Sequence, residues 1–237
     1  MNFLRVPRRL VHFTLFLAAL GALLTAGAAS LAADNTLSDQ EKADGWVLLF
    51  DGKTTNGWIT NGGKPVPDHR LQGGALNPHD SGGYLIVHEQ RFGDFVFACD
   101  FKLSKGCNSG IFFRTADLDD VVQTGIELAI DDTTGHGKHD TGAVYDLVAP
   151  KRNAMKPAGE WNHVELTCDG SLITVAVNGE EVTKMDLDQW TEPGKNPDGT
   201  RNKFQTAYKD MPREGHLGFQ DHGQDCWFKN IKVKELK

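Results

Sequence analysis

The chain has 237 residues, 24% of them charged, and a formal net charge of −7. That acidity argues against nucleic acid and anionic membrane surfaces as partners. The length suits one domain of the larger all-β kind, with a sizeable core.

Residues 1–33 stand apart from the rest. Arg5, Arg8 and Arg9 form a basic start, Leu10 to Leu24 is an apolar run, and small residues follow, with Ser30-Leu31-Ala32 and Ala32-Ala33 as cleavage motifs ahead of Asp34. This is the pattern of a secretory signal peptide, and the apolar run is short of the ~20 residues a membrane span needs. Its removal takes away three arginines and no acid, so the net charge moves from −7 to −10. The expectation is an exported, periplasmic or extracellular domain over residues 34–237, not bound to a membrane once the leader is cleaved. Four cysteines remain in a compartment where disulfides form. Cys99 and Cys168 fall in the apolar phase of strands and read as buried thiols, whereas a bridge between Cys107 and Cys226 is left open.

Residues 45–58 read as a strand running into a Gly/Asn-rich turn that ends at Trp58. Short runs with Gly73-Gly74, Asn77-Pro78 and Gly82-Gly83 between them follow, and these are turn signals. In the stretch 92–104, Phe95, Phe97, Cys99, Phe101 and Leu103 alternate with other residues, as in a strand with one buried face. Asp169-Gly170 and Asn178-Gly179 punctuate 161–187 as tight hairpin turns, giving a three-stranded meander. Residues 188–203 read as a long loop. Leu217 and Phe219 alternate with Gly218 and Gln220 before a turn at Asp221-His222-Gly223. Many short strands and no sustained helical period predict two antiparallel sheets packed face to face, a β-sandwich or jelly roll.

Residues 108–132 look like the centre of this scaffold, because two strands there each carry an apolar and a polar face. Side chains alternate, so Ile111 and Phe113 share one face and Phe112 and Arg114 the other. Leu128 and Ile130 then oppose Glu127, Ala129 and Asp131.

Motifs along the whole mature chain resemble those of the 3-keto-disaccharide hydrolase domain family. They run in order through Leu49-Phe50-Asp51-Gly52-Lys53, Gly57-Trp58, Phe92-Gly93-Asp94-Phe95, Asn108-Ser109-Gly110-Ile111-Phe112-Phe113-Arg114 and Gly125-Ile126-Glu127. They continue through Thr141-Gly142-Ala143-Val144-Tyr145, Pro157-Ala158-Gly159-Glu160-Trp161-Asn162, Asn178-Gly179, Gly218-Phe219-Gln220-Asp221-His222-Gly223 and Phe228-Lys229-Asn230-Ile231. The resemblance implies a concanavalin A-like jelly roll, an exported location and cleavage of glycosides oxidised at C3. Two positions depart from the family pattern: Ala129 stands where an amide is usual, and Lys229 where an arginine is usual.

The mechanism implied is elimination and hydration, which needs a base for the C2 proton, an acid for the leaving oxygen and a cationic group near the developing enolate. Glu127 is the candidate base, His222 the acid or second base, and Arg114 the cationic group, a role that a divalent metal ion could also fill. Asn108, Phe112, Tyr145, Gln220 and Asp131 are candidate substrate contacts. Other readings stand beside these: an ion pair of Glu127 with Arg114, a turn-stabilising His222, a Phe112 covered by loops, and a solvated or metal-binding loop at His136, His139 and Asp140. An ordinary glycosidase needs two carboxyl groups within about 10 Å. Glu127 and Asp131, four strand residues apart, are roughly 13 Å distant, which leaves only an acid from another strand, such as Asp100. Against the enzyme stand a non-catalytic carbohydrate-binding module and a cell-envelope scaffold domain.

Overall fold

The computed structural model describes Met1, residues 33–133 and residues 136–237. The expected signal peptide, apart from Met1 and Ala33, lies outside the described residues. Period-two alternation dominates the sequence, and the chain is accordingly built of strands. They are β1 (Val47–Leu48), β2 (Trp58–Thr60), β3 (Leu71–Gln72), β4 (Ala75–Leu76), β5 (Leu85–Phe92), β6 (Phe95–Leu103), β7 (Asn108–Thr115) and β8 (Ile126–Asp131). After a long connection come β9 (Asn162–Asp169), β10 (Leu172–Val177), β11 (Glu180–Asp186), β12 (Gly215–Gln220) and β13 (Cys226–Glu235). The α-helices described are single turns, α1 (Asp39–Ala43) and α2 (Val121–Thr124).

The strands form two antiparallel sheets. The larger runs β11-β10-β9-β6-β13-β4-β3, with β1 also on β13, and the smaller runs β2-β5-β12-β7-β8. They pack face to face as a jelly-roll β-sandwich. The core lies where their inner faces meet. From the larger sheet come Phe95, Phe97, Phe101 and Phe228, and from the smaller Ile111, Phe113, Leu217 and Phe219, all at most 1% exposed. Phe219 stacks between Phe228 (ring centroids 3.9 Å apart) and Trp58 (5.3 Å), and each such side chain contributes about 1.5–3 kcal/mol by leaving water. The expected meander is β9-β10-β11. Asn178 and Gly179, with φ of 52° and 82°, make its second turn of the kind whose twist matches the strands.

All four cysteines are buried free thiols. Burial first, and then the neighbouring Cys107, raises the Cys226 thiol well above its ordinary pKa, so the pair left open by the sequence is adjacent but not bridged. On the outer face of the larger sheet Asp100 bonds His163 at 2.7 Å and Asn230 at 2.7 Å, and Lys229 pairs with Asp34 at 2.7 Å. The departure at Lys229 therefore concerns the anchoring of the N-terminal segment.

One irregularity in the smaller sheet decides what its outer face carries. Gly218 pairs with Phe112, but His216 pairs with Thr115, so three steps along β7 face two along β12. This is a β-bulge. Arg114, at φ 50°, is its left-handed residue, and one extra residue reverses the sidedness of everything beyond it.

Candidate active site

Upstream of the bulge, alternation holds. Glu127 is directly opposite Phe112, and Ala129 opposite Gly110, so β7 and β8 present Asn108, Gly110, Phe112, Glu127 and Ala129 on the outer face. The Glu127 side chain lies across Gly110, where a Cβ would meet Oε1 at 2.7 Å and Cγ at 2.8 Å. Glycine inside a strand weakens it but permits close approach. Gly110→Ala is expected to push the Glu127 carboxylate aside and lower kcat/KM by about 10²-fold. The Tm should change little, since a flexible side chain and not backbone must give way; steady-state kinetics and thermal denaturation check both halves.

The environment of Glu127 fits it for proton transfer. Burial raises its carboxyl from the ordinary 4.5 to about 7, with the Lys203 ammonium pulling the other way. No hydrogen bond or ion pair reaches this carboxylate from a described residue. A carboxyl in an apolar setting without a partner titrates near neutrality, where it works best as a general base.

The chain has three tyrosines, and all three surround Glu127. Burial first, and then the charge of Glu127, raises the phenol pKa of Tyr84, Tyr145 and Tyr208 alike. Tyr84 meets Phe112 edge to face at 6.2 Å, and its hydroxyl accepts a hydrogen bond from Gln220 Nε2 at 2.5 Å. Tyr145 donates its backbone N–H to the Glu127 carbonyl at 2.9 Å, which lays the 143–145 segment along the open edge of β8. Its ring stacks on His139 at 4.6 Å and lies 4.3 Å from Lys203 Nζ. Tyr208 is 1% exposed, and its hydroxyl has no partner among the described residues.

Gln220 completes the group. Phe219 of β12 pairs with Ile111, so the next step places Gln220 across from Gly110 and on the other side of it from Ala129. Its Oε1 is buried without a partner among the described residues. The glycine thus separates a carboxylate from an amide on the same face of the sheet.

Several expected site residues are placed elsewhere. Arg114 does not join Glu127, either as a cationic catalyst or as an ion pair. Turned inward by the bulge and fully buried, it donates to Gly93 O at 3.0 Å, Gly170 O at 2.9 Å and Asp94 Oδ1 at 2.7 Å. Phe112 is on the expected face but 1% exposed, because Leu85, Val87 and Val121 close over it; it is a floor and not a stacking platform. Asp131 is 7% exposed and accepts from Thr133 N at 2.6 Å and Thr133 Oγ1 at 2.9 Å, so it holds a turn. His222 lies past the end of β12, exposed, in a turn closed by Gly223 N–H on Asp221 Oδ1 at 2.9 Å, with no contact to Glu127. Asp100, on the opposite sheet, cannot be a second carboxylate for it. Asn108, Tyr145 and Gln220 do line the Glu127 face, and the Asn108 amide makes no hydrogen bond among the described residues.

Sequence reasoning missed Tyr84, Lys203 and the close approach of Glu127 to Gly110. Only the glycine left a trace, as a Cβ-less residue inside a strong strand. For a metal ion the donor set does not fit: no three His, Cys, Asp or Glu side chains converge among the described residues. His139 is stacked on Tyr145 and sits 3.9 Å from Asp146.

A family model described as the 3-keto-alpha-glucoside-1,2-lyase-like domain matches residues 45–234. The chain belongs to this family. Its 3-keto-glucoside lyase-like domain is 30% identical, over 232 residues, to a 3-keto-disaccharide hydrolase of Bacteroides thetaiotaomicron, covering 82% of this chain and 79% of that one. Among solved structures, a candidate glycosyl hydrolase from Parabacteroides distasonis superimposes with a TM-score of 0.71 at 25% identity, over 86% of this chain and 100% of that one. A second from the same organism gives 0.67 at 27% identity, over 81% and 99%. In this family member the matched region contains the whole Glu127 face.

Proposed function

We propose that this protein is an exported enzyme that cleaves the glycosidic bond of 3-keto-glycosides by elimination and hydration. The observation that carries the reading is the Glu127 carboxyl, held near neutral pKa with no partner, on a face bordered by hydroxyl and amide groups. A ketone at C3 acidifies the C2 proton. Glu127 removes it, the C1 substituent departs, and water adds to C1 of the resulting enone as Glu127 returns a proton to C2. The Lys203 ammonium supplies positive charge near the enolate in the place first given to Arg114. A two-carboxylate glycosidase mechanism finds no support, because Asp131 is spent on its turn and Asp100 lies on the other sheet. The names of the Bacteroides relative and of the matching family agree with a 3-keto substrate.

Product analysis tests the proposal on a 3-keto-glucoside and on its unoxidised parent. Release of 3-keto-glucose from the ketone alone is expected. Equal turnover of the parent would remove the need for a C3 ketone, and saturable binding without turnover of either would make this a carbohydrate-binding module.

A further inference from the structure

The elimination needs a proton for the leaving oxygen, and the site as described names no donor once His222 is found in its exposed turn. Among the three tyrosines, only Tyr84 has its hydroxyl oriented by a neighbour. Gln220 Nε2 donates to it, which occupies a lone pair of Tyr84 Oη and leaves the phenolic proton for another acceptor. Tyr84 is also the most open of the three, at 38% exposure. Tyr208 is sealed, and Tyr145 is held by its ring between His139 and Lys203 while its hydroxyl makes no hydrogen bond among the described residues.

Register fixes the distance scale. Gln220 stands one strand from Gly110, the glycine that the Glu127 side chain covers, and neighbouring strands are about 4.8 Å apart. Tyr84 Oη, on the Gln220 amide, and the Glu127 carboxylate, over Gly110, thus border the same part of the sheet, close enough for the Glu127 charge to raise the Tyr84 phenol. A base and an acid beside one another on a single face are what cleavage across a C2–C1–O1 unit needs.

We propose that Tyr84 is the catalytic acid and base that partners Glu127, and that Gln220 is the positioning residue that aims it. The inference rests on the elimination reading above. Its proton balance closes with two side chains. Glu127 accepts the C2 proton as the C1–O bond breaks, and Tyr84 gives its proton to the departing oxygen. The tyrosinate then takes a proton from water as the hydroxide adds to C1, and Glu127 returns its proton to C2. Each group ends in its starting state.

The test compares 3-keto-glucosides with an alkyl and a 4-nitrophenyl aglycone, since a good leaving group does not need the acid. Tyr84→Phe is expected to lower kcat/KM for the alkyl substrate at least ~10²-fold and for the nitrophenyl substrate less than about tenfold. Gln220→Leu should reproduce this selectivity in weaker form, which loss of packing alone would not. Exchange of the C2 hydrogen of 3-keto-glucose with deuterated solvent should persist in Tyr84→Phe and vanish in Glu127→Gln. An equal loss on both aglycones, no loss, or a leaving-group-selective loss in Tyr145→Phe instead would overturn the assignment of Tyr84 while leaving Glu127 in place. Failure of the wild-type protein to act on either ketone would overturn the elimination reading itself.

Discussion

Glu127→Gln is expected to abolish turnover of a 3-keto-glucoside, with kcat at least ~10³-fold lower, and at the same time to stabilise the protein above neutral pH. Both effects have one cause. Burial sets the carboxyl at about 7 instead of 4.5, so the ionised form that acts as base is also the form that the fold disfavours. In the wild type, kcat/KM should climb about tenfold per pH unit below 7 and level off above it. The folded pKa is raised above the unfolded one, so stability is complete below 4.5 and is lost as pH rises through about 7. The loss is on the order of 3 kcal/mol. Denaturant melts of the two proteins across this range should diverge upward from pH 4.5, with the glutamine variant flat. Parallel melts would mean that Glu127 is not desolvated as described.

Arg114→Ala is expected to have the reverse signature, with a large fall in stability and little change in chemistry per folded molecule. Removing the guanidinium leaves Gly93 O, Gly170 O and the Asp94 carboxylate without their donor. Asp94 is 41% exposed and rehydrates, so the loss comes chiefly from the two carbonyls left unsatisfied, about 1–3 kcal/mol each, and each kcal/mol lowers Tm by roughly 2–4 °C in a domain of this size. Arg114→Lys should recover only part of this, because an ammonium cannot span three acceptors as a planar fork does. Activity measured well below the transition should stay within about threefold of wild type. A 10³-fold loss in folded protein would restore the arginine to the catalytic step.

The two variants also mark how much of the site could be read from the sequence. Regular alternation placed Glu127, Ala129, Asn108 and Gln220 on one face correctly, because those strand segments keep period two. The same rule misplaced Arg114, since nothing in Phe113-Arg114-Thr115 announces an extra residue in the ladder, and a bulge is visible only when the partner strand is known. Phe112 was on the right face, but whether a ring meets solvent depends on Leu85, Val87 and Val121, which other segments deliver. Tyr84 was out of reach because it precedes β5 and comes to Glu127 only through the β5-β12-β7 order, a fact about pairing that local pattern does not carry. The fold itself was legible, since long strands with one buried apolar phase, such as β6 and β9, have few ways to cover that phase other than each other.

The extra residue in β7 acts as an electrical insulator for the reaction centre. Without it, alternation would carry Arg114 onto the outer face two positions from Phe112, within reach of the carboxylate opposite. A guanidinium there would clamp Glu127 in its ionised form, pull its titration back into the ordinary acidic range and leave it a poor proton acceptor at neutral pH. Deletion of Thr115, which would leave Arg114 itself in register with His216, would thus silence the protein while leaving both residues in the gene. Conversely, an inert jelly roll with this arginine in phase needs only one inserted residue to free its glutamate for chemistry.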